Sequence, residues 1–172
     1  MLIALYLAAI VAANLTVTAW GPSASIVNAF LFVGLDLVAR DRLHDRWRGH
    51  ALAPRMALLI VAGGLLSMAL NAAAWRIAVA SSLAFVAAAT VDALTYHALH
   101  RRPYLQRVNG SNIASAAVDS ILFPTLAFGA LLPWVIAGQF AAKVAGGALW
   151  ALLLRQPRIS TTDRSQAHAH PL

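Results

Sequence analysis

Apolar runs close to the length of a membrane helix, cut apart by short arginine-rich segments, make up most of the chain and leave it few ways to fold. A bilayer core about 30 Å thick is crossed by about 20 helical residues. In hydrocarbon every backbone polar group has to find its partner within the segment, so such a run becomes a helix. Six runs read as spans: residues 2–18, 25–39, 56–73, 77–99, 111–132 and 134–154. Gly21-Pro22-Ser23 supplies a tight turn after the first, and the stretch from Asn71 to Arg76 has to turn the third into the fourth. The expected fold class is all-α, a polytopic membrane protein of six transmembrane helices over residues 1–154. A polar, disordered cytoplasmic tail is expected over 155–172.

Composition agrees. The chain is 60% hydrophobic and 11% charged, against about 25% charged in soluble domains. It has no cysteine, which excludes disulfides and thiolate metal sites. The loops are too short to bury the core of a soluble domain. The opening Met1-Leu2-Ile3-Ala4-Leu5-Tyr6 lacks a basic stretch, so it reads as the first span rather than a cleaved signal.

A net charge of +7 raises the question of nucleic acid. The placement of the charge points to topology instead. Six spans put both termini and the loops after helices 2 and 4 on one side. That side carries Arg40, Arg42, Arg46, Arg48, Arg55, Arg101, Arg102, Arg107, Arg155, Arg158 and Arg164; the other side carries Arg76 alone, and Lys143 lies within helix 6. By the positive-inside rule both termini are cytoplasmic. The expected surroundings are membrane lipid, with no nucleic-acid partner.

Polar residues inside the spans are the candidate chemistry. Asp119 stands in the fifth run, and a charge there costs about 2.5–3.5 kcal/mol on insertion scales, so it is expected to face a partner or a ligand. Ser111, Ser115, Asp119 and Phe123 recur every four residues and share a helix face, with Asn112 seven residues before Asp119 and nearly in line with it. Pro124 frees a backbone carbonyl in the same helix. Gln139 and Lys143 stand four apart in helix 6, where Lys143 can pair with Asp119, with Asp36 or with an anionic ligand atom. Asn28, Asp36 and Arg40 share a face of helix 2. Asp36 and Arg40 read as a gating or topological ion pair, ahead of direct ligand contact. Asp92, Tyr96 and His97 lie near the cytoplasmic end of helix 4, where Asp92 can pair with Arg101, Arg102 or His97. Asn14 and Asn71 suit interhelical hydrogen bonding. For Asp119 and Lys143 the plain alternative is an ion pair that only locks the bundle.

No P-loop, HExxH, GxSxG or intramembrane metal-ligand cluster occurs, and no nucleophile has an adjacent base. No catalytic residue, metal or cofactor is expected, and the chain does not read as an enzyme. A carboxylate flanked by amides and hydroxyls suits a donor-rich ligand edge, such as the N1–H and 2-amino group of a guanine.

Several runs resemble the queuosine-precursor transporter family, also called VUT: Ala13-Asn14-Leu15-Thr16, the stretch from Asn28 to Asp41, Ser111-Asn112 through Asp119-Ser120-Ile121-Leu122-Phe123, and Gln139-Phe140-Ala141-Ala142-Lys143. The resemblance spans nearly all of residues 1–154. It implies import of the 7-deazaguanines 7-cyano-7-deazaguanine and its aminomethyl relative, precursors of a tRNA modification. It also implies six helices similar to the substrate-binding subunits of energy-coupling-factor transporters, without an ATPase module. On that ligand, Asp119, Asn112 and Gln139 would read the base edges, with Ser115 and Asn14 beside them. Phe123, Phe128 or Trp134 would stack on the ring, and Lys143 would donate to O6 or balance Asp119.

Rival readings are a capture subunit for another nucleobase or vitamin that needs an energising partner, and a small membrane scaffold whose charges hold the bundle together. Glycine- and alanine-rich faces on helices 3, 4 and 6 can pack against a second copy, which makes a homodimer an expectation.

Overall fold

In the computed structural model, which describes residues 2–32 and 52–153, all regular structure is helical. The elements are α1 (Leu2–Trp20), α2 (described over Pro22–Phe32), α3 (Leu52–Leu70), a 3-10 turn (Ala72–Ala74), α4 (Trp75–Ala98), α5 (Tyr104–Phe128) and α6 (Pro133–Leu153). Three stretches, Ile3–Trp20, Ala72–Ala98 and Leu105–Phe128, are long and apolar enough to cross a membrane. Large apolar side chains point outward along the helices, among them Leu58, Leu70, Leu83 and Leu94. Lipid tails are as apolar as leucine, so nothing drives these side chains inward. Asp36, Arg40, the basic loop that follows them and the tail lie outside the described residues.

Local chemistry sets the turns. Gly21 adopts φ 71°, a left-handed conformation open to glycine, and Pro22 then starts α2 with a ring pre-set for the first helical turn. Asn71 caps the 3-10 turn by accepting from the Ala73 N–H at 3.0 Å, a capping role in place of an interhelical one.

Side-chain contacts give the relative directions. Ile10 packs on Gly63, and Asn14 donates to Ser67 at 3.0 Å. Both pairs are 53 residues apart, so α1 and α3 run parallel in register. A Cβ on Gly63 would stand 2.7 Å from the Ile10 side chain, and the missing side chain is what lets these helices approach. Ile26 lies on Gly138 and Phe30 on Gly146, so α2 and α6 are parallel too. By contrast α4 and α5 are antiparallel over their whole length, with Ile77 clustered on Ala127 at one end and Leu99 on Gly110 at the other. Val17, Ala24, Ile77, Ala80 and Ala127 form a buried knot at the end where α1 turns into α2 and α3 into α4.

Several boundaries differ from the sequence expectation: α3 begins at Leu52, not at residue 56, and ends at Leu70, not at residue 73. The fifth helix begins at Tyr104, not near residue 111, and ends at Phe128, not near residue 132. Pro103, extended at φ −53° and ψ 148°, breaks the chain just before it. Gln106, Arg107, Asn109 and Gly110 look like loop residues by composition, yet all four are helical, and two of them meet the end of α4: the Arg107 guanidinium sits 4.2 Å from the centre of the Tyr96 ring, and Gly110 lies against Leu99. Tertiary packing and a cation–π contact here outweigh weak local propensity. At the far end Gly129 takes φ 71° and stops the helix, and Arg76 donates to the Leu126 carbonyl at 3.3 Å. A cation suits the negative end of a helix.

Candidate binding cavity

A cavity of about 150 Å³ opens between α1, α2, α4, α5 and α6. Of the residues expected to bind substrate, it brings together Asn14, Asp119, Phe123, Gln139 and Lys143. Asn112 is exposed and Ser115 donates to the Asn112 carbonyl at 3.1 Å; neither lines the cavity.

The electrostatic centre is an ion pair. Lys143 Nζ donates to Asp119 Oδ2 at 2.5 Å, to Ser120 Oγ at 3.2 Å and to Gln139 Oε1 at 3.3 Å. Three ammonium protons thus meet three acceptors. The Lys143 side chain is 14% accessible and that of Asp119 is 30%, so the lysine is set in the wall and the carboxylate is the more open of the two. Antiparallel packing of α5 on α6 places the pair, and the spacing of four residues puts Gln139 under Lys143. The pair is neutral in sum, and its mutual attraction together with the bonds of Lys143 to Ser120 and Gln139 offsets part of the cost of holding two charges in the bundle.

A layer of fixed polar groups surrounds it. Gln139 is 2% exposed, and its Nε2 donates to Ser25 Oγ at 2.8 Å. Ser25 passes its own proton to the Pro22 carbonyl. Asn28 donates to the Ala13 carbonyl at 3.1 Å and to Thr16 Oγ1 at 2.8 Å. Asn14, buried at 3%, turns its nitrogen to Ser67 on α3. Phe123 forms the flat part of the wall and is braced edge-on by Phe128, ring centres 6.3 Å apart. Trp134, the third ring considered for stacking, is exposed.

Asp92 lies apart from the cavity. Its Oδ1 is buried without a hydrogen-bond partner, as is Nε of Arg107, and among the described residues Asp92 forms no ion pair. Among the described residues no cluster of histidine or acidic side chains could hold a metal.

Asn28, Ser25, Phe32 and Ser81 also line the cavity, beyond the expected set. Asn28 drew attention by its line with Asp36 and Arg40. The useful signal was different: Ser25, Asn28 and Phe32, at spacings of three and four, mark one face of α2.

The cavity accepts a small ligand. A space near 150 Å³ holds a benzene-sized ring in a protein interior. A carboxylate, fixed amides and an aromatic wall around it can orient a flat heterocycle by its polar edge. Neither a curated protein nor a solved structure matches the chain. Residues 2–154 match the model of a family described as "Putative vitamin uptake transporter". The family is one of transporters and not of enzymes, and the helices are those of a membrane protein. The chain belongs to this vitamin uptake transporter family.

Proposed function

We propose that the protein imports 7-deazaguanine bases, 7-cyano-7-deazaguanine and its aminomethyl relative, across the cytoplasmic membrane. Six spans and cytoplasmic termini follow from the arginine distribution. The observation that carries the substrate reading is the pairing of Asp119 with the half-buried Lys143 beside Phe123 in one small cavity. A carboxylate accepts the N1–H and 2-amino group of a deazaguanine side by side. Phe123 offers the ring a flat apolar face. The paired site, neutral in sum, disfavours an anionic vitamin, whose carboxylate would meet Asp119.

The test is uptake of labelled 7-cyano-7-deazaguanine into liposomes holding the purified protein alone. Accumulation in the vesicles, absent with Asp119→Asn, supports the reading. Binding without uptake would instead make the chain a capture subunit for an energising partner. Neither binding nor uptake of any deazaguanine would overturn the substrate reading.

A further inference from the structure

The orientation of each amide in the cavity follows from the chemistry of its partners. Asn28 places its nitrogen on the Ala13 carbonyl, which can only accept, and on Thr16 Oγ1, whose proton is already directed to the Ala12 and Ala13 carbonyls at 2.7 and 3.0 Å. Both amide protons of Asn28 are therefore held by α1. The one polar atom that Asn28 can offer the cavity is its carbonyl oxygen. Gln139 is held at both ends: Ser25 must accept from it, because the Ser25 proton lies on the Pro22 carbonyl, and its oxygen takes Lys143. Asn14 is turned the same way, since Ser67 gives its proton to the Gly63 carbonyl at 2.7 Å and can only accept. Lys143 has its three protons on Asp119, Ser120 and Gln139. Among the described residues the wall thus presents fixed acceptors, while its cation, Lys143, is engaged within the scaffold.

We propose that Asn28 is a specificity-determining acceptor, its carboxamide oxygen taking a ligand N–H at a different position from the one that Asp119 takes. The site then selects planar heterocycles with N–H donors at two places along one edge. This rests on the deazaguanine reading only for the identity of the ring. On a 7-deazaguanine free base the donors are N1–H, the 2-amino group and the pyrrole N–H, with the N3 acceptor between the last two. With Asp119 on the first two, Asn28 takes the pyrrole N–H. A sugar or methyl group at that nitrogen removes the donor and leaves the Asn28 oxygen unpaired, which selects against nucleosides.

The experiment is a binding titration of detergent-purified protein with matched pairs, each base against its pyrrole- or imidazole-N-methyl derivative. The pairs are 7-cyano-7-deazaguanine, 7-deazaguanine and guanine, and the proteins are wild type, Asn28→Ala and Thr16→Val. The expected result is that wild type prefers each bound free base by at least about tenfold, the worth of one hydrogen bond. Asn28→Ala weakens the free base by about that factor and leaves the methylated partner unchanged, so the preference disappears. Thr16→Val lowers the melting temperature of the empty protein and keeps the preference, because the acceptor remains. Equal weakening of both partners by Asn28→Ala would reduce Asn28 to a link between α1 and α2 and overturn the proposal. So would an absence of binding by all three pairs. Binding of guanine without 7-cyano-7-deazaguanine would overturn the substrate reading alone, and the Asn28 ratio would still be read on the pair that binds.

Discussion

Lys143 on α6 donates to Asp119 on α5 at 2.5 Å, and both residues line the same cavity. Removing one partner strands the other charge inside the bundle. Asp119→Ala should destabilise the empty protein by about 3–5 kcal/mol, and the double variant Asp119→Ala/Lys143→Met by clearly less. Unfolding of the single and double variants in detergent measures the coupling. Additive losses would mean that the two charges do not depend on each other.

Gln139 joins that pair to α2. Gln139→Leu is close in volume but leaves Lys143 one acceptor short and Ser25 without its donor. A stability loss of about 1–3 kcal/mol is expected for groups left unpaired in a buried setting. Thermal unfolding of the empty protein checks it, and an unchanged transition would show that the amide is not needed to hold the site.

Adjacent glycines on α3 should behave differently. A Cβ at Gly63 would stand 2.7 Å from Ile10, whereas at Gly64 the nearest atom would be 3.6 Å away. Gly63→Ala should cost about 1–3 kcal/mol by overpacking, with recovery on adding Ile10→Ala. Gly64→Ala should be neutral or slightly stabilising, since alanine is the better helix former. Melting temperatures of the three variants decide this, and equal effects at both glycines would contradict the parallel register of α1 and α3.

The outer end of α5 gives a further contrast. Gly129 has φ 71°, and a side chain there would run into the Arg76 guanidinium. Gly129→Ala should destabilise through both strain and displacement of Arg76, by about 1–2 kcal/mol. Arg76→Ala should cost less, about 0.3–1 kcal/mol, because it removes one helix-end interaction. The reverse order, measured by thermal unfolding, would mean that Arg76 and not the turn holds this end.

The sequence made the helices legible because a bilayer imposes length and apolar composition on each span. It also pointed to Asp119 with Phe123 and to Gln139 with Lys143, since residues four apart on a helix share a face. Asn112 shows where that logic stops. Seven residues put it in line with Asp119, but two turns of helix carry it about 10 Å along the axis, beyond a cavity this small. Asn28, Ser25 and Ser81 were missed as cavity residues for a different reason. The spacing of Ser25 and Asn28 marks one face of α2, but what that face meets depends on how α2 and α4 pack on α1, which no single helix encodes. The early start of α5 was hidden likewise, because the contact of Arg107 with Tyr96 joins two helices.

The most direct test is a thermal-shift titration of the purified protein with 7-cyano-7-deazaguanine, its aminomethyl relative, guanine and thiamine, on wild type and Asp119→Asn. A ligand that binds only the folded state raises the melting temperature, by an amount that grows with concentration above its Kd. The account predicts a saturable rise with the two deazaguanines that is lost in Asp119→Asn. A rise retained in that variant would contradict the assignment of Asp119, and no rise with either deazaguanine would contradict the proposed substrate.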